Sequence, residues 1–256
     1  MHFIGSAVTD KGNVKQTNQD CACVRVGSCE QFGEIAMVVL CDGMGGLDKG
    51  ELASATVIRA FCAWFDNTLP LCLAKLSWNE LSGEWDRLVK EQNYLIGQFG
   101  KANNVNLGTT VTAMLCIGDN YQIIHIGDSR AYEINDSIRQ MTEDQTFIAR
   151  EIKNGNMTPE QAAKDPRRNM LLQCVGASRA IQPQLIRGRI TKNTVFMFCS
   201  DGFRHVLTDE EMFLSFKPDN VTDVVNMEQN SKRLVESVKS RKERDNITVA
   251  LLKCIV

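Results

Sequence analysis

Apolar and polar positions along the chain fall into two regimes. Compact apolar runs at 3–8, 20–26 and 34–41, rich in Val, Ile, Leu, Ala and Cys, predict strands. The run at 34–41 is continuous enough to be buried on both faces. From Lys49 to Phe65 the spacing becomes helical: Leu52, Ala53, Val57, Ala60, Phe61, Trp64 and Phe65 recur so as to form one broad apolar face. A second helix is predicted over 84–104, with Trp85, Leu88, Val89, Leu95, Ile96 and Phe99 inward. Residues 66–83 carry no readable period, and Trp78 within them is assigned to packing.

A strand meander follows at 109–117, 121–127, 130–135 and 137–141, turned by Gly118-Asp119-Asn120 and Asn135-Asp136. The stretch from about 142 to 180 is polar and helix-rich. Within it Thr158-Pro159-Glu160-Gln161 supplies an N-cap, a proline at the first helical position and a glutamine that completes a capping box. Strands at 182–190 and 194–200, a helix opened by Thr208, a longer one capped by Asn220 and ending near Ser240, and a closing strand at 246–254 complete the order. Two groups of strands with helical pairs after the first and before the last strand predict an α+β fold of two packed sheets with helices outside. No linker-like segment divides the 256 residues, so one domain is expected.

Composition narrows the function classes. A formal charge of −2 and a pI near 6.0 exclude the basic footprint of a nucleic-acid binder, and the run Lys239-Ser240-Arg241-Lys242-Glu243-Arg244 reads as a solvated helix end. The start MHFIGSAVTD lacks a signal-peptide pattern, and Cys41, Cys116, Cys199 and Cys254 lie in core-like runs. The ten cysteines are therefore expected to be reduced thiols of a cytoplasmic protein. With no Cys-x-x-Cys pair and three histidines, a structural zinc site has no support. The apolar stretches are too short to cross a bilayer.

The candidate chemistry lies at strand ends. Asp42 follows MVVLC, Asp128 follows YQIIHIG, Asp201 follows TVFMFCS, and Asp245 precedes NITVALL. Core strands would hold these carboxylates in place, and such a cluster of like charge persists only when protons or cations neutralise it. An all-oxygen site suits Mg²⁺ or Mn²⁺ better than zinc. Taken singly, Asp42-Gly43 and Asp201-Gly202 are hairpin signals, and Asp128-Ser129 and Asp245-Asn246 are ordinary turns. Asp42, however, is followed by Gly-Met-Gly-Gly and a helix-like stretch rather than a second strand.

In order, Thr9-Asp10-Lys11-Gly12 with Asn18-Gln19-Asp20, Asp42-Gly43-Met44-Gly45-Gly46, Gly108-Thr109-Thr110, Gly127-Asp128-Ser129-Arg130, Ser200-Asp201-Gly202 and Asp245-Asn246-Ile247-Thr248 resemble the successive motifs of the metal-dependent protein phosphatase (2C) family. The resemblance runs from about residue 5 to the last residue, and Met44 aligns it with the bacterial branch. It implies a four-layer αββα sandwich of mainly antiparallel sheets, with a metal cleft at one end. It also implies hydrolysis of phosphoserine and phosphothreonine in proteins by water or hydroxide bridging two Mn or Mg ions, without a phosphoenzyme. By the same resemblance Asp42 bridges the ions, the Gly43 carbonyl ligates one, Asp201 and Asp245 bind the other, and Asp20 acts through metal-bound water. Asn246 would orient Asp245 or its water, and glycines at 43, 45 and 46 would keep side chains away from the ions. Asp128 is a candidate for an additional, weaker ion, the alternative being a turn aspartate held by Arg130. Gly108-Thr109-Thr110 reads as structural. Phosphoprotein substrates of a serine/threonine kinase and a monomeric state are the implied partners and assembly.

The sequence departs from the family pattern at three positions. Lys15 stands where the family usually has a phosphate-gripping arginine, keeping the charge but losing the bidentate fork. Gln145 and His205 replace residues often found near the additional ion; either change would weaken it, unless His205 is itself a ligand. Met44 has no proton to give, which leaves metal-bound water to protonate the departing oxygen. His125 reads as a hydrogen-bonded strand histidine. No glycine-rich Cys-x5-Arg loop or Asp-x-Asp motif points to a covalent phosphoenzyme. Two competing readings are a catalytically weak phosphoprotein-binding module on the same fold, which usually loses metal ligands, and a two-metal nuclease, which needs a basic groove. Residues 142–180 are expected to form a flap that borders the cleft and carries specificity.

Overall fold

The computed structural model describes residues 1–44, 49–75 and 77–256; the expected roles of Gly45 and Gly46 lie outside the described residues. Strands β1 (His2–Asp10), β2 (Cys21–Cys29) and β3 (Gly33–Cys41) open the chain. Helix α1 (Gly50–Ala63), a π-helical turn (Trp64–Thr68), α2 (Leu69–Cys72) and α3 (Trp78–Asn103) follow. Then come β4 (Val111–Ile117), β5 (Asn120–Ile126), β6 (Arg130–Ile134), β7 (Ile138–Gln140), α4 (Phe147–Lys153), α5 (Pro159–Ala162), β8 (Gln184–Arg189) and β9 (Thr194–Cys199). Helices α6 (Asp201–Arg204), α7 (Asp209–Phe216) and α8 (Val224–Ser240) precede the closing strand β10 (Ile247–Ile255).

The strands form two five-stranded sheets, ordered β1-β10-β9-β6-β7 and β2-β3-β4-β5-β8, with antiparallel pairing throughout. The alternation along β3 shows why its sequence is unbroken. Met37, Val39 and Cys41 pack under α1 and α3 with Val57, Phe61, Trp85 and Val89. Ala36, Val38 and Leu40 turn the other way, into the space between the sheets, with Met114, Phe196, Phe198 and Leu252. A strand covered on both faces has no polar side to show. The second sheet repeats the arrangement: Met197, Val249 and Leu251 meet Met212, Phe216, Leu234 and Val238 of α7 and α8. The result is the expected α+β sandwich with helices on both outer faces.

Two local expectations are corrected. Helix α3 begins at Trp78 because Ser77 accepts from the Glu80 amide while the Glu80 side chain returns to the Ser77 N–H, a capping box in the segment that showed no apolar period. Its Trp85 is fully buried, edge-on to Phe61 and Trp64 at 5.2 and 5.6 Å. Asn220 does not cap α8. It sits in a 3-10 turn started by Pro218 and donates to the Leu214 carbonyl, while Asp223 caps the helix. The capping boxes at Thr158 and Thr208 form as expected. Among the described residues no helix is long and apolar enough to cross a membrane.

Candidate metal centre

The site is assembled by backbone contacts between strand ends. Asp42 follows β3, and its N–H donates to Thr110 Oγ1 at 2.9 Å. Its carbonyl accepts from the Thr110 amide at 2.9 Å and from Thr109 Oγ1 at 2.9 Å, so the threonines of Gly108-Thr109-Thr110 tie this end of the sheet. The Gly43 amide donates to the Gln19 carbonyl. A Cβ on Gly43 would lie 2.4 Å from that oxygen and 2.6 Å from the Gly50 carbonyl oxygen, so only glycine lets the Asp20 and Asp42 segments approach. Gly202 performs the same service: a Cβ there would lie 2.1 Å from the Asn246 carbonyl oxygen, and this contact sets Asp201 beside Asp245.

Asn246 ties down the loop that carries Lys15. Its Oδ1 accepts from the Gln19 amide at 2.9 Å, and its Nδ2 donates to the carbonyls of Lys11 and Thr17 at 2.9 and 3.1 Å. The side-chain amide is thus spent on residues 11–19; Asp245 Oδ1 instead accepts from the backbone N–H of Asn246 at 2.8 Å. Lys15 reaches the cleft, its Nζ 2.8 Å from Asp245 Oδ1.

Electrostatics confirm that the carboxylates share one environment. Burial pushes Asp42 well above the ordinary carboxylate range, and the charges of Asp20, Asp201, Asp128 and Asp245 push it further. Asp20 is pushed up to about 7, first by burial, with Asp201 and Asp245 adding to the rise and Thr248 and Ser200 hydroxyls opposing it. Asp128 is also pushed up to about 7 by burial and by Asp201, against the nearby Arg204 cation. Burial raises Asp201, with His205 opposing.

Asp20 Oδ2 is buried with no hydrogen-bond partner. Among the described residues no three ligating side chains close on a common point. An oxygen-only donor set with an orphaned carboxylate oxygen, and without a three-ligand cage, fits a hard divalent cation that takes one or two carboxylates and completes its shell with water. Asp42, the Gly43 carbonyl, Asp201 and Asp245 are the groups that would hold such ions.

Arg130 does not hold Asp128. Its guanidinium takes Asp144 in a fork, Nε to Oδ1 at 2.7 Å and Nη2 to Oδ2 at 2.6 Å, and its Nη1 donates to the Tyr132 hydroxyl at 3.0 Å. The cation nearer Asp128 is Arg204, whose Nη2 donates to the Asp128 carbonyl at 3.1 Å. Its Nη2 is 3.6 Å from Asp144 Oδ2, and its Nε is buried without a partner. Sequence reasoning passed over both Asp144 and Arg204. The available signal was an arginine one helical turn after Asp201, on the face that looks back to the cleft.

Gln145 braces the end of β5 behind Asp128. Its backbone N–H donates to the Gly127 carbonyl at 2.8 Å, and its Oε1 accepts from the Gly127 amide at 2.9 Å. His205 lies between carboxylates, Nε2 3.5 Å from Asp201 Oδ2 and Nδ1 3.5 Å from Glu243 Oε2. The contact with Glu243, then the Asp201 charge, raises its pKa against the effect of burial. His125 is fully buried on β5, with Nδ1 2.9 Å from Thr112 Oγ1 and Nε2 3.1 Å from the Gly127 carbonyl. Burial lowers its pKa to about 4, so it is a neutral strand histidine, as expected.

A cavity of about 740 Å³ opens over these groups, lined among others by Lys15, Asp128, Arg204, His205 and Asp245. Its far wall is Ala162, Ala163, Arg168 and Asn169, so residues 142–180 border the cleft. Within the segment Thr146 bridges Leu171, and near its end Val175 bridges Thr109 of the cleft.

Two antiparallel sheets between helical layers, with buried aspartates converging at one end, define the sandwich class of metal-dependent phosphatases. A family model described as Protein phosphatase 2C matches residues 12–239, and the chain belongs to that family. It is 28% identical over 249 residues to the serine/threonine protein phosphatase PstP of Mycobacterium tuberculosis, covering 96% of this chain and 44% of that protein; the chain thus spans less than half the length of this relative. The serine/threonine phosphatase stp of Listeria innocua is 27% identical, with 96% of this chain and 93% of that protein covered. The solved catalytic domain of PstP in complex with two manganese ions superposes with a TM-score of 0.78 at 26% identity, covering 99% of each chain.

Proposed function

We propose that this chain is a Mn- or Mg-dependent protein phosphatase that hydrolyses phosphoserine and phosphothreonine without forming a phosphoenzyme. The observation that carries this reading is the convergence of Asp42, Asp128, Asp201 and Asp245 on one cleft beside a buried Asp20 whose Oδ2 has no hydrogen-bond partner. Two divalent cations bound there would supply an activated water and neutralise the phosphoryl oxygens. Asp42, with the Gly43 carbonyl, and the Asp201–Asp245 pair hold them in this reading, and Asp20 contributes through ordered water. An additional ion at Asp128 would compete with the Arg204 guanidinium, which makes that site the weakest.

Lys15 supplies positive charge at the mouth of the cleft for the substrate phosphate. Asp20 is buried and Asp42 partly so, and in such surroundings each charge counts for more than it would in open water. The relatives' names, serine/threonine phosphatases, support the substrate class, and the manganese-bound neighbour supports the metal. Proteins phosphorylated by a serine/threonine kinase are the partners this reading requires, and a cytoplasmic monomer the simplest setting for it. No observation favours a silent binding module, since Asp42, Asp201 and Asp245 are all in place.

The test is turnover of para-nitrophenyl phosphate with Mn²⁺, Mg²⁺ or excess chelator. Activity is expected with either ion and is lost in chelator. Asp42→Asn and Asp201→Asn fall to background while retaining the wild-type circular dichroism spectrum. Full activity in chelator, or in either folded variant, would refute the assignment.

A further inference from the structure

Strand β2 and helix α1 face each other through thiols. Cys23, on β2, and Cys62, near the end of α1, place their sulfurs 3.4 Å apart, and both are partly exposed free cysteines. A disulfide bond is about 2.05 Å long, so the sulfurs need to close by roughly 1.4 Å, an approach within the reach of side-chain rotation. Arg25, two residues further along the same face of β2, puts its charge beside both sulfurs; burial nonetheless pushes the Cys23 thiol up to about 12, which leaves the first attack to Cys62. Among the described residues no third ligand joins the pair to make a metal site.

A second thiol pair serves as an internal control. Cys116 of β4 and Cys254 of β10 also touch, but both are fully buried between the two sheets. Proximity alone therefore does not distinguish Cys23 and Cys62. Proximity, access and a neighbouring cation together do.

We propose that Cys23 and Cys62 are a redox-active dithiol that forms a reversible disulfide on meeting a hydroperoxide. The Cys62 sulfur attacks the O–O bond of hydrogen peroxide, one oxygen leaves as water, and a sulfenic acid forms. The Cys23 sulfur then attacks that sulfur, the S–S bond forms, and the second oxygen leaves as water. Two thiols and one peroxide thus give one disulfide and two waters. A small dithiol returns the pair to the reduced state by exchange.

The bond would fasten two elements that meet at the carboxylate cleft. Ser54 of α1 donates to the Gln19 carbonyl at 2.6 Å, and β2 starts directly after Asp20. Oxidation therefore stiffens the shelf on which Asp20 sits, and it closes a chain loop long enough to raise stability through the unfolded state.

The experiment uses the intact wild-type protein, so it does not depend on any variant folding. The protein is treated with a small excess of hydrogen peroxide, its remaining thiols are alkylated under denaturing conditions, and its peptides are mapped by mass spectrometry. A Cys23–Cys62 cross-linked peptide is expected as the main new species, with Cys116 and Cys254 alkylated. Tm should rise by on the order of 5 °C and return on addition of dithiothreitol. Cys62→Ser should lose both the cross-link and the shift, whereas Cys21→Ser should keep both. No cross-link, a predominant cross-link between other cysteines, or sulfinic acid at Cys62 without a cross-link would overturn the proposal. None of these readouts uses phosphatase activity, so the result stands apart from the proposed function.

Discussion

Lys15 makes its ion pair with Asp245, at 2.8 Å, while staying partly exposed. On the proposed function a lysine in this place has two tasks that compete: it neutralises a carboxylate offered to an ion, and it offers charge to a phosphate. Lys15→Ala is expected to raise KM for a phosphopeptide by about tenfold, the scale of one charge-assisted hydrogen bond, with kcat little changed. Lys15→Arg is expected to lower KM, because the guanidinium fork can grip two phosphoryl oxygens. Initial-rate kinetics at saturating Mn²⁺ check both, and an unchanged KM in the alanine variant would make Lys15 a bystander. At this scale the sequence was legible for where a residue comes to lie, as with Asp42, Asp201 and Asp245, which flank buried strands close enough to feel one another's charge. It was illegible for Arg130, Asp144 and Arg204. Which carboxylate an arginine takes depends on where a turn deposits it, and Arg130 reaches past Asp128 to Asp144.

The elements next to the cleft allow a sharper statement about residues 142–180. Arg167 is committed within its own segment: it grips Asp165, Nη2 to Oδ2 at 2.8 Å, and its guanidinium lies 4.1 Å from the centre of the Phe147 ring. Arg168 instead lines the cavity above the carboxylates. Arg168→Ala should therefore reduce kcat/KM for a phosphopeptide several-fold more than for para-nitrophenyl phosphate, which is too small to touch the far wall. Arg167→Ala should loosen the segment and lower both rates in proportion. Parallel assays of the two substrates decide this; equal losses from Arg168→Ala would remove it from substrate recognition. Strand and helix order were readable here because buried strands leave continuous apolar runs. The start of α3 was not, since a capping box at Ser77 and Glu80 is a signal carried by two polar residues outside any apolar period. Asn220 misled for a related reason: several cap-type residues stood close together, and Asp223 took the helix.

For the whole molecule, the aspartate cluster is a cost that the metal-free fold must carry. Asp20 and Asp128 titrate at about 7 when folded but near 3.9 when unfolded, so between these values the unfolded chain binds fewer protons and stability falls as pH rises. The neutral His125, lowered to about 4, acts in the opposite sense but only below its ordinary pKa near 6.5. From pH 6.5 upward, until both aspartates are ionised, the aspartates dominate that contest. Chelator-treated protein is thus expected to show a Tm that declines from pH 6.5 to about 8 as Asp20 and Asp128 ionise, and that keeps falling beyond it while Asp42, pushed well above them, gives up its proton. Saturating Mn²⁺ should raise the Tm and flatten the slope, because bound cations replace the protons. Calorimetry across that pH range checks it; a metal-free Tm that rises with pH would show that the aspartates do not share one buried environment. The layered architecture was readable from the order of runs together with the family motifs. The pairing order of the strands was not, since apolar runs of similar length carry no mark of their neighbours.

One consequence of strand order concerns the making of the protein. β10 lies between β1 and β9, and Asp245 and Asn246 stand at its entrance. A ribosome must deliver β10 before β1 finds its partner, before Asn246 ties the loop at Lys15, and before Asp245 joins the other aspartates. A nascent chain, however well packed its first sheet, has an incomplete set of carboxylates. Completion of that set marks the point at which β10 has joined its sheet.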